Sequence, residues 1–209
     1  MKVFLLLLAS AFLAGCSVFG DNGVESAPYQ LLQSDQDMQI EVRNYESMIL
    51  VSASMSGDGR NSAFRKLFKY ISGENAGATE IAMTAPVFMD EDTANQKGTE
   101  IAMTAPVFMN ENADEPMMSF VMPKSFTLEN TPKPNDSEVT VTEIRDYRVA
   151  AIKFNWTLSD SNVEEHTQIL SKWIAENGYT AMSEPVQAGY NGLLTLPWLR
   201  HNELLIEVE

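Results

Sequence analysis

Apolar and polar residues alternate along Met38, Ile40 and Val42, and again along Val139 and Val141, the period of a strand with one buried face. A second apolar stretch follows each, Met48 to Met55 and Val149 to Trp156, and is read as a further strand. After a polar break the period changes to that of a helix. Phe64, Leu67, Phe68 and Ile71 fall at i, i+3, i+4 and i+7, with Asn61 or Ser62 available as cap and Gly73 past the end. In the second half, Val163, His166, Thr167, Leu170, Trp173 and Ile174 make the stripe, Ser161 and Glu164 have capping-box spacing, and Gly178 terminates it.

The two halves also share words. Glu41-Val42-Arg43-Asn44-Tyr45 and Glu143-Ile144-Arg145-Asp146-Tyr147 match position by position, with Val/Ile and Asn/Asp as the differences. Element order agrees as well: strand, strand, helix, strands, twice. The fold class predicted is α+β, with two pseudo-symmetric strand-strand-helix-strand halves whose strands form a curved sheet or distorted barrel against two helices. No linker divides the chain into two domains, so residues 29–209 are read as one, with halves at about 38–130 and 136–209. Thr131-Pro132-Lys133-Pro134-Asn135-Asp136 is the hinge between them, its prolines blocking a ladder.

A tighter repeat lies inside the first half. Thr79-Glu80-Ile81-Ala82-Met83-Thr84-Ala85-Pro86-Val87-Phe88-Met89 recurs without change as Thr99 to Met109. Proline in each copy predicts edge-like or interrupted strands, joined by the acidic loop Asp90 to Gly98, with Met117 to Pro123 as a third strand. Loop acids Asp90, Glu91, Asp92, Glu111, Asp114 and Glu115 fit no EF-hand spacing and read as a solvated edge. Methionines gathered here either fill irregular gaps in a core or line a deformable apolar pocket for a flat ligand, and spacing alone does not choose.

Composition changes the list of partners. The 209 residues carry 14 Lys+Arg against 29 Asp+Glu, a net charge of −15, which disfavours nucleic acid and anionic headgroups. A single cysteine excludes a disulfide framework and a multi-cysteine metal site. That cysteine closes Leu13-Ala14-Gly15-Cys16, after Met1-Lys2 and the apolar run Val3 to Leu13, which is too short to span a bilayer. The box resembles a bacterial lipoprotein signal: residues 1–15 are removed, Cys16 carries the lipid, and residues 16–28 form a polar tether. Ser17 after the cysteine favours the outer membrane, with the domain facing the periplasm. No Gly-x-Ser-x-Gly, phosphate-binding glycine loop or His-Glu-x-x-His occurs, so no catalytic residue is assigned, and Glu203 beside Tyr190 is read as an exposed, solvated glutamate.

Ile-Ala-Met-Thr-Ala-Pro-Val, Met-Ser-Phe-Val-Met-Pro, Pro-Lys-Pro-Asn-Asp and the run Gly189-Tyr190-Asn191 to Thr195, Pro197, Arg200, Asn202 and Glu203 together resemble the SOUL heme-binding protein family, in order, from about residue 38 to the C-terminus. The resemblance implies a distorted β-barrel of two pseudo-symmetric halves flanked by two helices, binding heme or free porphyrin without catalysis. Some members ligate iron through a histidine in the first half; His166 and His201 both lie in the second, so no axial residue is carried over and the metal ligand stays unknown. His166 reads as a packed or surface residue and His201 as part of a polar terminal network. The ligand pocket is placed at Phe64, Leu67, Phe68 and Ile71 against Met83 and Met103, with Trp173, Tyr190 and Trp198 as further candidates, and Lys66, Lys69 or Arg200 as propionate partners. The alternatives are a structural or interaction lipoprotein on the same fold, and a binder of another apolar small molecule.

Overall fold

A computed structural model describes residues 24–57, 59–77, 98–111, 114–192 and 194–209. Cys16 and the first copy of the methionine repeat, Met83 included, lie outside these residues. The strands in chain order are β1 (Glu25–Ser26), β2 (Gln30–Asp35), β3 (Ile40–Ser54), β4 (Asn75–Ala76), β5 (Thr104–Ala105), β6 (Val107–Asn110), β7 (Met117–Val121), β8 (Lys133–Pro134), β9 (Val139–Phe154), β10 (Val186–Gly189) and β11 (Asn202–Glu207). Helix α1 (Gly59–Ile71) follows β3, helix α2 (Asp160–Glu176) follows β9, and a 3-10 turn spans Pro197–Leu199.

The main sheet runs β2-β3-β7-β6-β10-β11-β9, and β3 also pairs with β9, so six antiparallel strands close into a barrel. This is the α+β architecture expected, with one difference in each half. Each pair of predicted strands around a pentapeptide is one continuous strand, β3 or β9. The reason is a shared break: Glu46 and Asp146, which face each other, drop out of the β3–β9 ladder, and Asp146 takes a positive φ of 49°. Tyr45 and Met48 both join the central cluster although three residues apart, as do Ile144 and Tyr147. Alternation is therefore reset at mid-strand, and one strand carries the pattern of two.

The reset lets one barrel serve three cores. Inside it, Tyr45, Met48, Leu50, Phe108, Val121, Val149, Ala151, Ala188 and Leu205 pack together. Outside, Ile49, Val51 and Ala53 meet Ala63, Leu67, Tyr70 and Ile71 of α1, while Ile40, Val42, Ala150 and Ile152 meet Leu170, Trp173 and Ile174 of α2.

Several local expectations are corrected. Helix α1 begins at Gly59, whose φ of 72° suits glycine, so Asn61 and Ser62 lie within its first turn and not at its cap. Ser161 and Glu164 form no capping box, because α2 starts two residues earlier with Ser159 as its extended, side-chain-unbonded N-cap. Gly73 and Gly178 do end the helices, at φ 99° and 80°. The proline-interrupted strand of the second repeat copy is present as β5 and β6, around a cis Ala105–Pro106 bond, but β6 is paired on both sides and is no edge. In the hinge, Pro134 does take part in a short ladder, β8 with β4, and Tyr70 Oη donates to Pro132 O at 2.7 Å, which straps the segment to α1. Glu111 is not simply solvated: Arg60 of α1 pairs with it.

Candidate functional site

At one end of the barrel, where β3 and β11 begin, charged side chains turn inward. Arg43 and Glu203 are 5% and 1% exposed, and the guanidinium donates two parallel bonds to the carboxylate, Nη1 to Oε2 at 2.7 Å and Nη2 to Oε1 at 2.9 Å. β9 separates their strands in the sheet, so the pair braces the barrel across its interior. Tyr190 Oη donates to Glu203 Oε2 at 2.7 Å, His201 Nε2 lies 2.8 Å from Oε1, and Arg43 Nε reaches Glu41 at 2.7 Å. Burial opposes ionisation of Glu203 but is outweighed by the bonds from His201 and Arg43 and by the guanidinium charge, which together hold its carboxyl at about 2. Burial likewise pushes the Tyr190 phenol well above its usual range, and Tyr45 up to about 12. The expected solvated Glu203 is thus overturned: a carboxylate with two paired oxygens can be buried because each lone-pair direction meets a donor.

Beside this cluster lies an open groove of about 600 Å³ lined by Gln39, Lys153, Phe154, Asn155, His166, Trp198, Leu199, Arg200 and His201. It contains both histidines of the chain. His166, from α2, stacks on Phe154 at 4.2 Å between ring centroids, with Nδ1 2.7 Å from Asn162 O one turn back. His201 lies parallel to Tyr190 at 3.9 Å and 2°. Trp198 is half exposed and meets Trp156 edge to face at 6.5 Å. Arg200 Nε donates to Thr195 O at 3.0 Å, which holds the guanidinium at the groove wall.

Of the ten candidate ligand residues Met83 lies outside the described residues, and the structure does not bring the other nine together. Leu67 and Ile71 are buried under α1, while Phe64 and Phe68 stack on each other at 6.1 Å and are exposed, like Met103. Trp173 is buried under α2 and donates its indole N–H to Asp35 at 2.9 Å. Tyr190, Trp198 and Arg200 converge at the groove end. Lys66 pairs with Glu138 at 2.8 Å and Lys69 with Glu74 at 3.6 Å, so both cations proposed near α1 already have carboxylate partners. Sequence reasoning missed Lys153, Phe154 and His166 as groove residues, and Arg43 as the partner of Glu203. At the opposite barrel mouth a cavity of about 340 Å³ is lined by Met48, Leu50, Phe108, Met117, Ile144 and Tyr147, with Asn110 and Glu207 among its polar groups.

The family model for SOUL heme-binding protein matches residues 24–94 and 91–207, two segments that each contain one copy of the methionine repeat. No curated protein sequence matches the chain. Among solved structures, an uncharacterized conserved protein from Listeria innocua aligns with a TM-score of 0.56 at 10% identity, over 82% of this chain and 93% of that one. A hydrolase from the same organism aligns at 0.53 and 10% identity, over 82% of this chain and 92% of that one. At such identities these likenesses establish the fold alone. Matched over nearly all of its described length, the chain belongs to the SOUL heme-binding protein family.

Proposed function

We propose that this protein binds heme or a related tetrapyrrole without catalysing a reaction on it, and that it does so in the 600 Å³ groove as a lipid-tethered protein of the cell envelope, on the periplasmic side of the outer membrane. The observation that carries the reading is the convergence on that groove of the exposed Trp198 ring, two cations (Lys153, Arg200) and both imidazoles, with Phe154 buried behind His166. A porphyrin presents those demands: two apolar faces, propionates that need cations at the rim, and a central iron for a nitrogen donor. Lys153 has no ion-pair partner among the described residues, and its ammonium is the group open to a propionate. The Leu13-Ala14-Gly15-Cys16 box supports the tether.

Glu203 argues against acid–base catalysis at the adjoining cluster. A carboxylate held at about 2 and saturated with donors is a poor proton acceptor near neutral pH. A smaller apolar ligand is the second reading, favoured by the 340 Å³ cavity and its Met48, Leu50, Phe108, Met117 and Ile144 walls.

Titration of the full chain with metal-free protoporphyrin IX, followed by tryptophan fluorescence, tests the first reading. Saturable quenching is expected, weakened about tenfold or more by Trp198→Ala and by Lys153→Glu. Saturable binding indifferent to both substitutions would move the ligand elsewhere, and no saturable response would overturn the function.

A further inference from the structure

We infer that His166 is the iron ligand of the groove, presenting Nε2, and that His201 is a positioning residue that does not coordinate. This rests on the tetrapyrrole reading above, and it places the metal-binding nitrogen on α2 in the second half of the chain, away from the α1 region to which the family resemblance points.

The argument begins with which ring nitrogen carries the proton. Asn162 O is a main-chain carbonyl and can only accept, so at 2.7 Å His166 Nδ1 must donate. In the neutral imidazole the lone pair is then on Nε2. This is the arrangement found at metal sites, where a ligating histidine gives its other N–H to a carbonyl or carboxylate that fixes tautomer and ring direction. The ring is also clamped by the Phe154 face at 4.2 Å. Tautomer and orientation are thus set before any ligand arrives, and the residue lines the groove.

His201 is held differently. Its Nε2 faces the Glu203 carboxylate at 2.8 Å, and Glu203 is also bound by Arg43 and Tyr190. Coordination through Nε2 would remove one of the donors that compensate a buried charge, and the nitrogen left over, Nδ1, adjoins the ring carbon that bears Cβ, where the residue's own main chain crowds a flat macrocycle. His166 keeps the nitrogen remote from its main chain, Nε2, for the metal, since its carbonyl bond uses Nδ1.

Tyr190 Oη is occupied on Glu203 as well, so the phenol is no competing ligand. Among the described residues no group of three or more His, Cys, Asp or Glu could hold a metal ion alone. A single half-buried imidazole at a groove wall suits a metal that already brings most of its own ligands, as iron in a macrocycle does.

Hemin and metal-free protoporphyrin IX added to the full chain separate this inference from the reading beneath it. Hemin is expected to give a shifted, ligated Soret band with the natural chain. His166→Ala should abolish that shift while metal-free protoporphyrin still quenches tryptophan fluorescence saturably, which also shows that the variant is folded. Added imidazole should restore the shift in His166→Ala. His201→Gln should keep it. A His166→Ala spectrum identical to that of the natural chain would overturn the assignment and leave the binding function standing. If neither ligand binds the natural chain, both fall.

Discussion

Tyr45 and Tyr147 face each other across the β3–β9 ladder, and they are the same residue of the duplicated pentapeptide. No other pair in that ladder joins equivalent positions of the two copies. The local twofold relating the halves therefore passes through this pair, whose rings lie 6.2 Å apart, next to the shared break at Glu46 and Asp146. The symmetry inferred from sequence has a location: two tyrosines packed at the point where both long strands reset their alternation.

Removing either ring should open the barrel at its axis. Tyr45 is 1% exposed, so Tyr45→Ala is expected to cost about 3–5 kcal/mol in urea unfolding. Tyr147→Ala should cost less, since its ring is only half-buried. The double variant should fall short of the summed single effects by about 0.5–1.5 kcal/mol because the rings touch. Strict additivity would mean that the pair is not a packing unit.

Glu203 sets an acid limit. Its carboxyl is lowered from 4.5 to about 2 in the folded protein, so the folded state binds fewer protons than the unfolded chain between those values. The stabilisation is complete above pH 4.5 and is lost as pH falls toward 2, amounting to about 3 kcal/mol. Glu203→Gln should therefore be less stable than the natural chain at pH 7 and should lose less on acidification to pH 3. Parallel urea midpoints against pH for the two proteins would contradict this.

Much of the fold is legible along the chain because it is written in local periods. Leu67 and Ile71, or Leu170, Trp173 and Ile174, mark helix faces whatever lies beneath them. The continuity of β3 and β9 is not legible, because the reset at Glu46 and Asp146 makes one strand look like two. The groove is harder still. Gln39, Lys153, His166 and Arg200 come from four separate stretches that only barrel closure brings together, and no spacing rule connects them. Of the buried cluster, His201 and Glu203 alternate onto one side of a strand and their contact was accessible to sequence reasoning, but Arg43 lies 160 positions from Glu203 and could not be paired in advance.

The bond that ties the β2–β3 turn to α2, beside the groove, has its own signature. Trp173 donates to Asp35 Oδ2 at 2.9 Å, and Met38 N to Oδ1 at 3.1 Å, and these two bonds, the indole first, hold the Asp35 carboxyl below its usual range. Trp173→Phe keeps the apolar ring under α2 and deletes the donor. The Asp35 titration, followed by carboxyl-carbon NMR, should then move upward toward that of an ordinary aspartate. An unmoved titration would show that the β2–β3 turn holds this carboxylate without the helix.

The identical methionine repeats compete for one place in the barrel, and their flanks decide which copy fills it. Thr104 to Met109 of the second copy supply β5 and all but the last residue of β6. Just before that copy, a Cβ on Gly98 would lie 2.1 Å from Asn75 O and 2.5 Å from Gly73 O, both main-chain atoms. The first copy seated in the same register would put Ala78 there, and Asp90 where Asn110 already buries an oxygen without a partner. Both changes disfavour it, the first by steric overlap and the second by burying a charge. The ends of the intervening segment are adjacent, since a Cβ on Gly77 would lie 3.7 Å from Thr99 N and 3.9 Å from Gly98 Cα. Two matched deletions follow from this geometry. Removing residues 78–97 joins Gly77 to Gly98, keeps the favourable flanks, and should leave the urea midpoint unchanged or raised, because a closed loop is shortened. Removing residues 97–116 keeps the same eleven-residue repeat but with Ala78 and Asp90 beside it, and should lower stability by at least about 1–3 kcal/mol, as should Gly98→Ala alone. Equal stability of the two deletions would show that the repeat itself, and not its neighbours, chooses the strand.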